Sequence, residues 1–152
     1  RRGEGGGGGG GGIKCGFKEC GAVFQVSNRS ALRNHVGSHI VRNSFAVEVC
    51  GLCGSEGRAV CEIVSVSKDK YSTQGKGECA GFYDGLRWGS HKNATLNSPC
   101  SNHVVKCDLC TNKYVWSYNM YAHYKSNHPG TPLPSKFRIS DAEIQKVKNF
   151  KK

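Results

Sequence analysis

The chain has 152 residues, of which 37% are hydrophobic and 21 are glycine, too little apolar surface for one large hydrophobic core. Its formal net charge of +11 suits a polyanionic partner, nucleic acid first. No run of 18 or more apolar residues occurs, which excludes a membrane-spanning helix on sequence grounds, and the nine cysteines and six histidines make the choice of scaffold one between disulfides and metal.

The odd cysteine count and the lack of a secretory signal pattern point to a reducing, intracellular setting with thiolates on zinc. An all-cysteine zinc site would remove about two positive charges and a Cys2His2 site none, so the surface stays basic.

Residues 1–12 are almost all glycine after Arg1 and Arg2 and are expected to be a disordered tail; the missing initial Met suggests a fragment or processed product. The first Cys/His unit, over 13–40, reads Cys15-x4-Cys20-x14-His35-x3-His39. Its spacing is that of a ββα C2H2-type zinc finger with two extra residues between strand and helix. Phe24 and Leu32 fall at core positions, and Ser27 or Asn28 can cap the helix.

The segment 41–104 reads as a β- and loop-rich, cysteine-rich zinc module. Residues 43–49 and 60–66 alternate as strands, and a Gly/Ser/Lys-rich loop follows from Ser67 to Gly77. Cys50-x2-Cys53 is a zinc knuckle that needs a second pair, either Cys100 with His103 or Cys79 with Cys100. Cys61 alternates with apolar residues and reads as a buried free thiol. A redox role for Cys50 and Cys53 would need a strand-helix-strand context that is not present.

The last unit, over 105–130, is Cys107-x2-Cys110-x12-His123-x4-His128, which fits the ββα finger at every interval, with Tyr114 and Met120 at its core positions. Pro129 to Pro134 ends its helix. Within the linker and tail, 131–152, Ser140 with Glu143 forms a capping box and Ile139 with Ile144 a hydrophobic staple, predicting a short basic surface helix from Asp141.

The order of these motifs, from Val49-Cys50-Gly51-Leu52-Cys53-Gly54 through Ser98-Pro99-Cys100-Ser101-Asn102 to Lys106-Cys107-Asp108-Leu109-Cys110, then Val115 to Met120, His123 and His128-Pro129-Gly130, resembles a group of uncharacterised C2H2-type zinc finger proteins of basidiomycete fungi. The resemblance covers about residues 48–145. It implies that the middle site is Cys50, Cys53, Cys79 and Cys100, and it implies no biochemical activity.

Counted from the first zinc histidine, the base-reading helix positions are Asn28, Ala31 and Asn34 in the first finger and Trp116, Asn119 and Ala122 in the last. Asn28, Asn34 and Asn119 are the candidate nucleic-acid contacts, because asparagine pairs with adenine. No arginine is available for guanine at these positions, and 67 residues separate His39 from Cys107, so no tandem array can form. The aromatics Tyr114, Trp116, Tyr118, Tyr121 and Tyr124 could stack on bases or meet a protein partner, or Trp116 could pack on the Cys50 module. The expected function is therefore that of a nuclear zinc protein binding nucleic acid, DNA before RNA, as a transcription regulator or transposon-derived factor. The alternative is a zinc-scaffolded protein-interaction module. An enzyme is not expected, since catalytic zinc keeps an open coordination position.

Overall fold

The computed structural model describes residues 12–17, 19–68, 70–88, 93 and 98–150. The glycine tail up to residue 11, and His91, lie outside the described residues.

The described residues form a small α+β structure with three two-stranded antiparallel hairpins and three α-helices. The first hairpin pairs β1 (Gly12–Lys14) with β2 (Val23–Gln25), Ile13 opposite Phe24, and these two side chains turn inward while their neighbours face solvent. A 3-10 turn then leads into α1 (Arg29–Arg42), whose N-cap Asn28 accepts from the Ala31 N–H. Leu32, Val36 and Ile40 of α1 are fully buried.

In the middle segment the expected strand over 43–49 is absent; Ser44 and Phe45 take positive φ and the chain turns out of the helix there. The second expected strand is shorter at its start. Residues Ala59–Cys61 form a 3-10 turn, and β3 (Ile63–Ser67) follows. β3 pairs with β4 (Lys70–Thr73), a strand inside the stretch read as loop from its Gly, Ser and Lys content. Pairing satisfies the backbone of that polar stretch whatever its side chains prefer. Two further bonds, Gln74 N–H to Glu62 O at 2.7 Å and Gly75 N–H to Val60 O at 3.0 Å, carry the ladder past the strand ends.

The third hairpin, β5 (Val104–Lys106) with β6 (Tyr114–Trp116), precedes a 3-10 turn and α2 (Met120–Asn127). The chain closes with α3 (Asp141–Lys148), which starts at the residue its capping pattern indicates. Only half of the capping box forms: Ser140 Oγ accepts from the Glu143 N–H, while the Glu143 carboxylate accepts from the Ser101 N–H, the Ser101 hydroxyl and the Tyr118 hydroxyl. Nor is α3 a loosely docked surface helix. Val147 is fully buried with Leu32, Val36 and Ile40, and Arg42 donates to Lys148 O at 2.8 Å.

Three cores result, and they cross the boundaries drawn from sequence. The largest joins Ile13, Phe24 and α1 to Val49, Cys100, Tyr118 and Val147, so each of the four segments from residue 13 onward contributes to it. The second surrounds Cys50, Leu52, Cys53, Cys61 and Cys79 with Trp88 and Trp116. The third holds Cys107, Val115, Met120, Tyr124 and Phe137. Tyr114, expected in that last core, is instead half-buried beside Tyr71 of the middle hairpin, ring centroids 5.2 Å apart. Among the described residues no helix is long and apolar enough to cross a membrane.

Candidate metal centres

Local folding delivers the donors of the outer clusters. In the first, the loop between β1 and β2 holds Cys15 and Cys20, tightened by Cys15 N–H to Ala22 O at 3.0 Å, and α1 presents His35 and His39 one turn apart. Cys20 Sγ lies 3.3 Å from His35 Nε2, and the two Nε2 atoms are 3.1 Å apart. The last cluster repeats this plan. Cys107 and Cys110 sit in the β5–β6 loop, His123 on α2 and His128 just past its end. Cys110 Sγ is 3.5 Å from His123 Nε2 and 3.3 Å from His128 Nε2, and Cys107 Sγ is 3.4 Å from His128 Nε2. Asn127 Nδ2 lies 3.2 Å from His123 Nδ1, which steadies the ring with Nε2 directed at the cluster.

The middle cluster is Cys50, Cys53, Cys61 and Cys79, all buried. Its knuckle is closed by Gly54 N–H to Cys50 O at 2.8 Å, with Gly54 at φ +80°, and the Leu52 N–H points at Cys50 Sγ at 3.4 Å. The other two thiols stand at the feet of the β3–β4 hairpin, Cys61 ending one 3-10 turn and Cys79 capping another. The Sγ separations are 3.6 Å for Cys50–Cys79, 3.7 Å for Cys53–Cys61 and 3.8 Å for Cys53–Cys79.

These separations test the fit to a metal. A tetrahedral ion with nitrogen at about 2.0–2.1 Å and sulfur at about 2.3 Å needs donor–donor edges of about 3.3–3.8 Å. The observed edges fall in or within a few tenths of an ångström of that range, and all nine cysteines are unbridged. Each group thus offers four donors within 4.8 Å of one another, two thiolates and two imidazoles in the outer groups and four thiolates in the middle one, all sets suited to zinc. Burial lowers the pKa of His35, His39 and His123, keeping these rings in the neutral form that ligates. Burial likewise pushes the Cys15 thiol up to about 11, so a thiolate there needs a cation beside it. Within the middle four, hydrogen bonds shared with the other thiols hold Cys50 well above the usual range and Cys53 well below it.

The middle set differs from the expectation at one ligand. Cys61 joins Cys50, Cys53 and Cys79, and Cys100 does not. Cys100 belongs to the largest core, where its N–H donates to Asn34 Oδ1 and its sulfur faces Gly37 of α1 and the Tyr118 ring; a Cβ on Gly37 would lie 2.7 Å from that sulfur. Burial pushes its thiol up, as for a neutral packing group. His103 also stays outside, its Nδ1 2.7 Å from Ser101 O. The signal that points to Cys61 is hairpin symmetry: Cys61 and Cys79 flank β3 and β4, whose antiparallel pairing brings the two ends together.

The asparagines expected to read bases are engaged within the chain. Asn28 caps α1. Asn34 is fully buried, donating to Ser30 O and Ser98 Oγ and accepting from Cys100 N–H. Asn119, also buried, donates to Val49 O at 2.6 Å. Asn34 and Asn119 are therefore packed on the middle segment, while Asn28 stays exposed. The aromatics follow suit: Tyr118 and Tyr124 are interior, and Trp116 stacks on Trp88, centroids 5.4 Å apart, over Gly51. A Cβ at Gly51 would come within 2.4 Å of that indole, so only glycine fits beneath it. Of Tyr114, Trp116, Tyr118, Tyr121 and Tyr124, Tyr121 alone is exposed. Comparison with family models, with curated proteins and with solved structures gave no match.

Proposed function

We propose that this chain is a zinc-scaffolded nucleic-acid-binding protein: two C2H2-type fingers and a four-cysteine site hold one basic body that grips the phosphate backbone without reading bases through its helices. The observation that carries the zinc part is the closed set of four donors in each cluster, with edge lengths that suit a tetrahedral ion. Zinc bound there supplies folding free energy to cores too small to form alone, a structural role that leaves no ligand position for a substrate. Cys15, Cys20, His35 and His39 would hold one ion, Cys50, Cys53, Cys61 and Cys79 a second, and Cys107, Cys110, His123 and His128 a third.

The nucleic-acid part rests on the charge of +11. Engagement of Asn34 and Asn119 inside the fold favours contacts to phosphate over contacts to base edges. A nuclear regulator and a transposon-derived factor are both compatible roles. Native mass spectrometry should show three zinc ions per chain, and binding to a mixed-sequence oligonucleotide should fall steeply with salt and little with sequence. Fewer ions, or binding with no salt dependence, would refute the corresponding part.

A second reading, a protein-interaction module, is favoured by an apolar groove of about 380 Å³ between the turn after α1 and the C-terminal linker, lined by Phe45, Tyr121, Leu133, Phe137 and Ile139. Salt-insensitive capture of a protein partner, without oligonucleotide binding, would select it.

A further inference from the structure

The N-terminal turn of α1 borders a cleft of about 370 Å³ whose wall carries Arg29, Ser30 and Arg33 from the helix, and Tyr83, Leu86 and Arg87 from the loop after Cys79. Three guanidinium groups thus line one depression, at the helix end whose free N–H groups carry partial positive charge and whose first turn has no acidic residue.

The guanidinium groups of Arg29 and Arg33 are under-satisfied. The Nε atoms of both are buried without a hydrogen-bond acceptor among the described residues. Arg29 spends Nη1 on Val26 O at 3.0 Å and lies over the Tyr83 ring, 4.7 Å from its centroid. Arg33 spends Nη2 on Ser98 Oγ at 3.1 Å, a hydroxyl it shares with Asn34. Among the described residues no carboxylate is paired with Arg33. The titratable groups acting on it are Cys100, Tyr83 and Tyr118, and burial keeps Cys100 and Tyr118 neutral while it lowers the pKa of the guanidinium itself. Asp84, in the same loop, is not among the lining residues. A half-buried arginine without a counter-ion costs free energy that an external anion would recover.

From this arrangement we infer that the cleft is a phosphate-binding site, with the guanidinium groups of Arg29 and Arg33 donating to the oxygens of a nucleic-acid phosphate and Arg87 lining the same cleft. The fork of an arginine matches a tetrahedral oxyanion, and the Tyr83 face that holds Arg29 in place orders it for that contact. The source of the phosphate rests on the nucleic-acid reading above; the site itself does not.

The experiment uses the zinc-loaded full chain, with the arginine Nε–H resonances followed by NMR. Inorganic phosphate should shift the Arg29 and Arg33 signals along saturating curves. Arg29→Gln, a partly exposed residue outside the cores, should raise the half-saturating concentration at least about tenfold with zinc content unchanged. In a second arm, a single-stranded oligonucleotide bearing a 5′-phosphate and its unphosphorylated twin are titrated into wild type, Arg29→Gln and Arg33→Lys. Wild type should bind both; Arg29→Gln should bind more weakly with a salt slope reduced by about 0.7, and Arg33→Lys, which keeps the charge but loses the fork, more weakly with the slope little changed. Preference for the 5′-phosphorylated strand would place a terminal phosphate in the cleft; equal binding would place a backbone phosphate there. Phosphate curves unchanged in Arg29→Gln would overturn the site even if oligonucleotides still bind, leaving the nucleic-acid reading intact. Phosphate binding at the cleft with no oligonucleotide binding would keep the site and remove the nucleic acid as its source.

Discussion

The amide oxygen of Asn34 accepts a hydrogen bond from the backbone N–H of Cys100 at 3.0 Å, joining residues 66 apart in the chain. Asn34 sits on α1 at a position where a DNA-reading finger contacts a base, and here the contact is to its own chain. The same substitution of inner for outer partners occurs at Asn119, which donates to Val49 O. Asn34→Ala and Asn119→Ala should each destabilise the fold by about 1–3 kcal/mol, because each leaves a buried backbone group without its partner. Urea unfolding would measure the loss, and oligonucleotide binding by the folded variants should keep the sequence preference of wild type. A changed base preference without loss of stability would show that these residues face the ligand after all.

The middle metal centre separates Cys61 from Cys100. Cys61→Ser should reduce bound zinc from three ions to two and expose Cys50, Cys53 and Cys79 to alkylation, whereas Cys100→Ser should retain three. Native mass spectrometry with iodoacetamide labelling distinguishes the two, and the reverse result would put Cys100 at the metal.

His123→Ala removes a donor that both positions α2 and closes the last cluster. Much of the zinc-linked folding free energy, about 10–16 kcal/mol in small zinc modules, is at stake there. The expected outcome is loss of one ion and of the α2 helical signal. Because Tyr118 and Trp116 pack on the other cores, partial loosening should spread to the tryptophan fluorescence. A variant that keeps all its zinc and all its helix would refute the assignment.

Zinc removal tests whether the three cores behave as one. Since the largest core draws on residues around all three clusters, excess chelator should produce one cooperative loss of near-UV signal rather than three steps. Three resolved transitions would mean that the segments fold separately.

Tyr118 gives a pH dependence. Burial, then the nearby Cys100 sulfur and the hydrogen bond to Glu143, raise its phenol above the ordinary value of 10. A group whose folded pKa is raised contributes stability that is whole below the unfolded value and is lost as pH rises above it. Between about pH 10 and about pH 12, wild type should therefore lose up to about 1.4 kcal/mol of stability per pH unit from this residue. Tyr118→Phe should show a shallower decline in urea unfolding over that window. Parallel declines would mean that the phenol ionises freely.

Much of the outer clusters was legible in the residues themselves. Two cysteines on a short loop and two histidines a helical turn apart meet whatever surrounds them, and the caps at Asn28 and Ser140 act within three residues of the helices they start. What only the tertiary structure decided involves distant partners. Cys61 enters the middle cluster because the register of β3 on β4 returns Cys79 to its side, while Cys100 is held elsewhere by α1. Glu143 leaves the capping box because Ser101 and Tyr118 offer its half-buried carboxylate three donors. The alternation around Cys61 and the polar composition of β4 describe each segment alone; which strand faces which, and which helix face is covered, is set by burial shared among segments far apart in sequence.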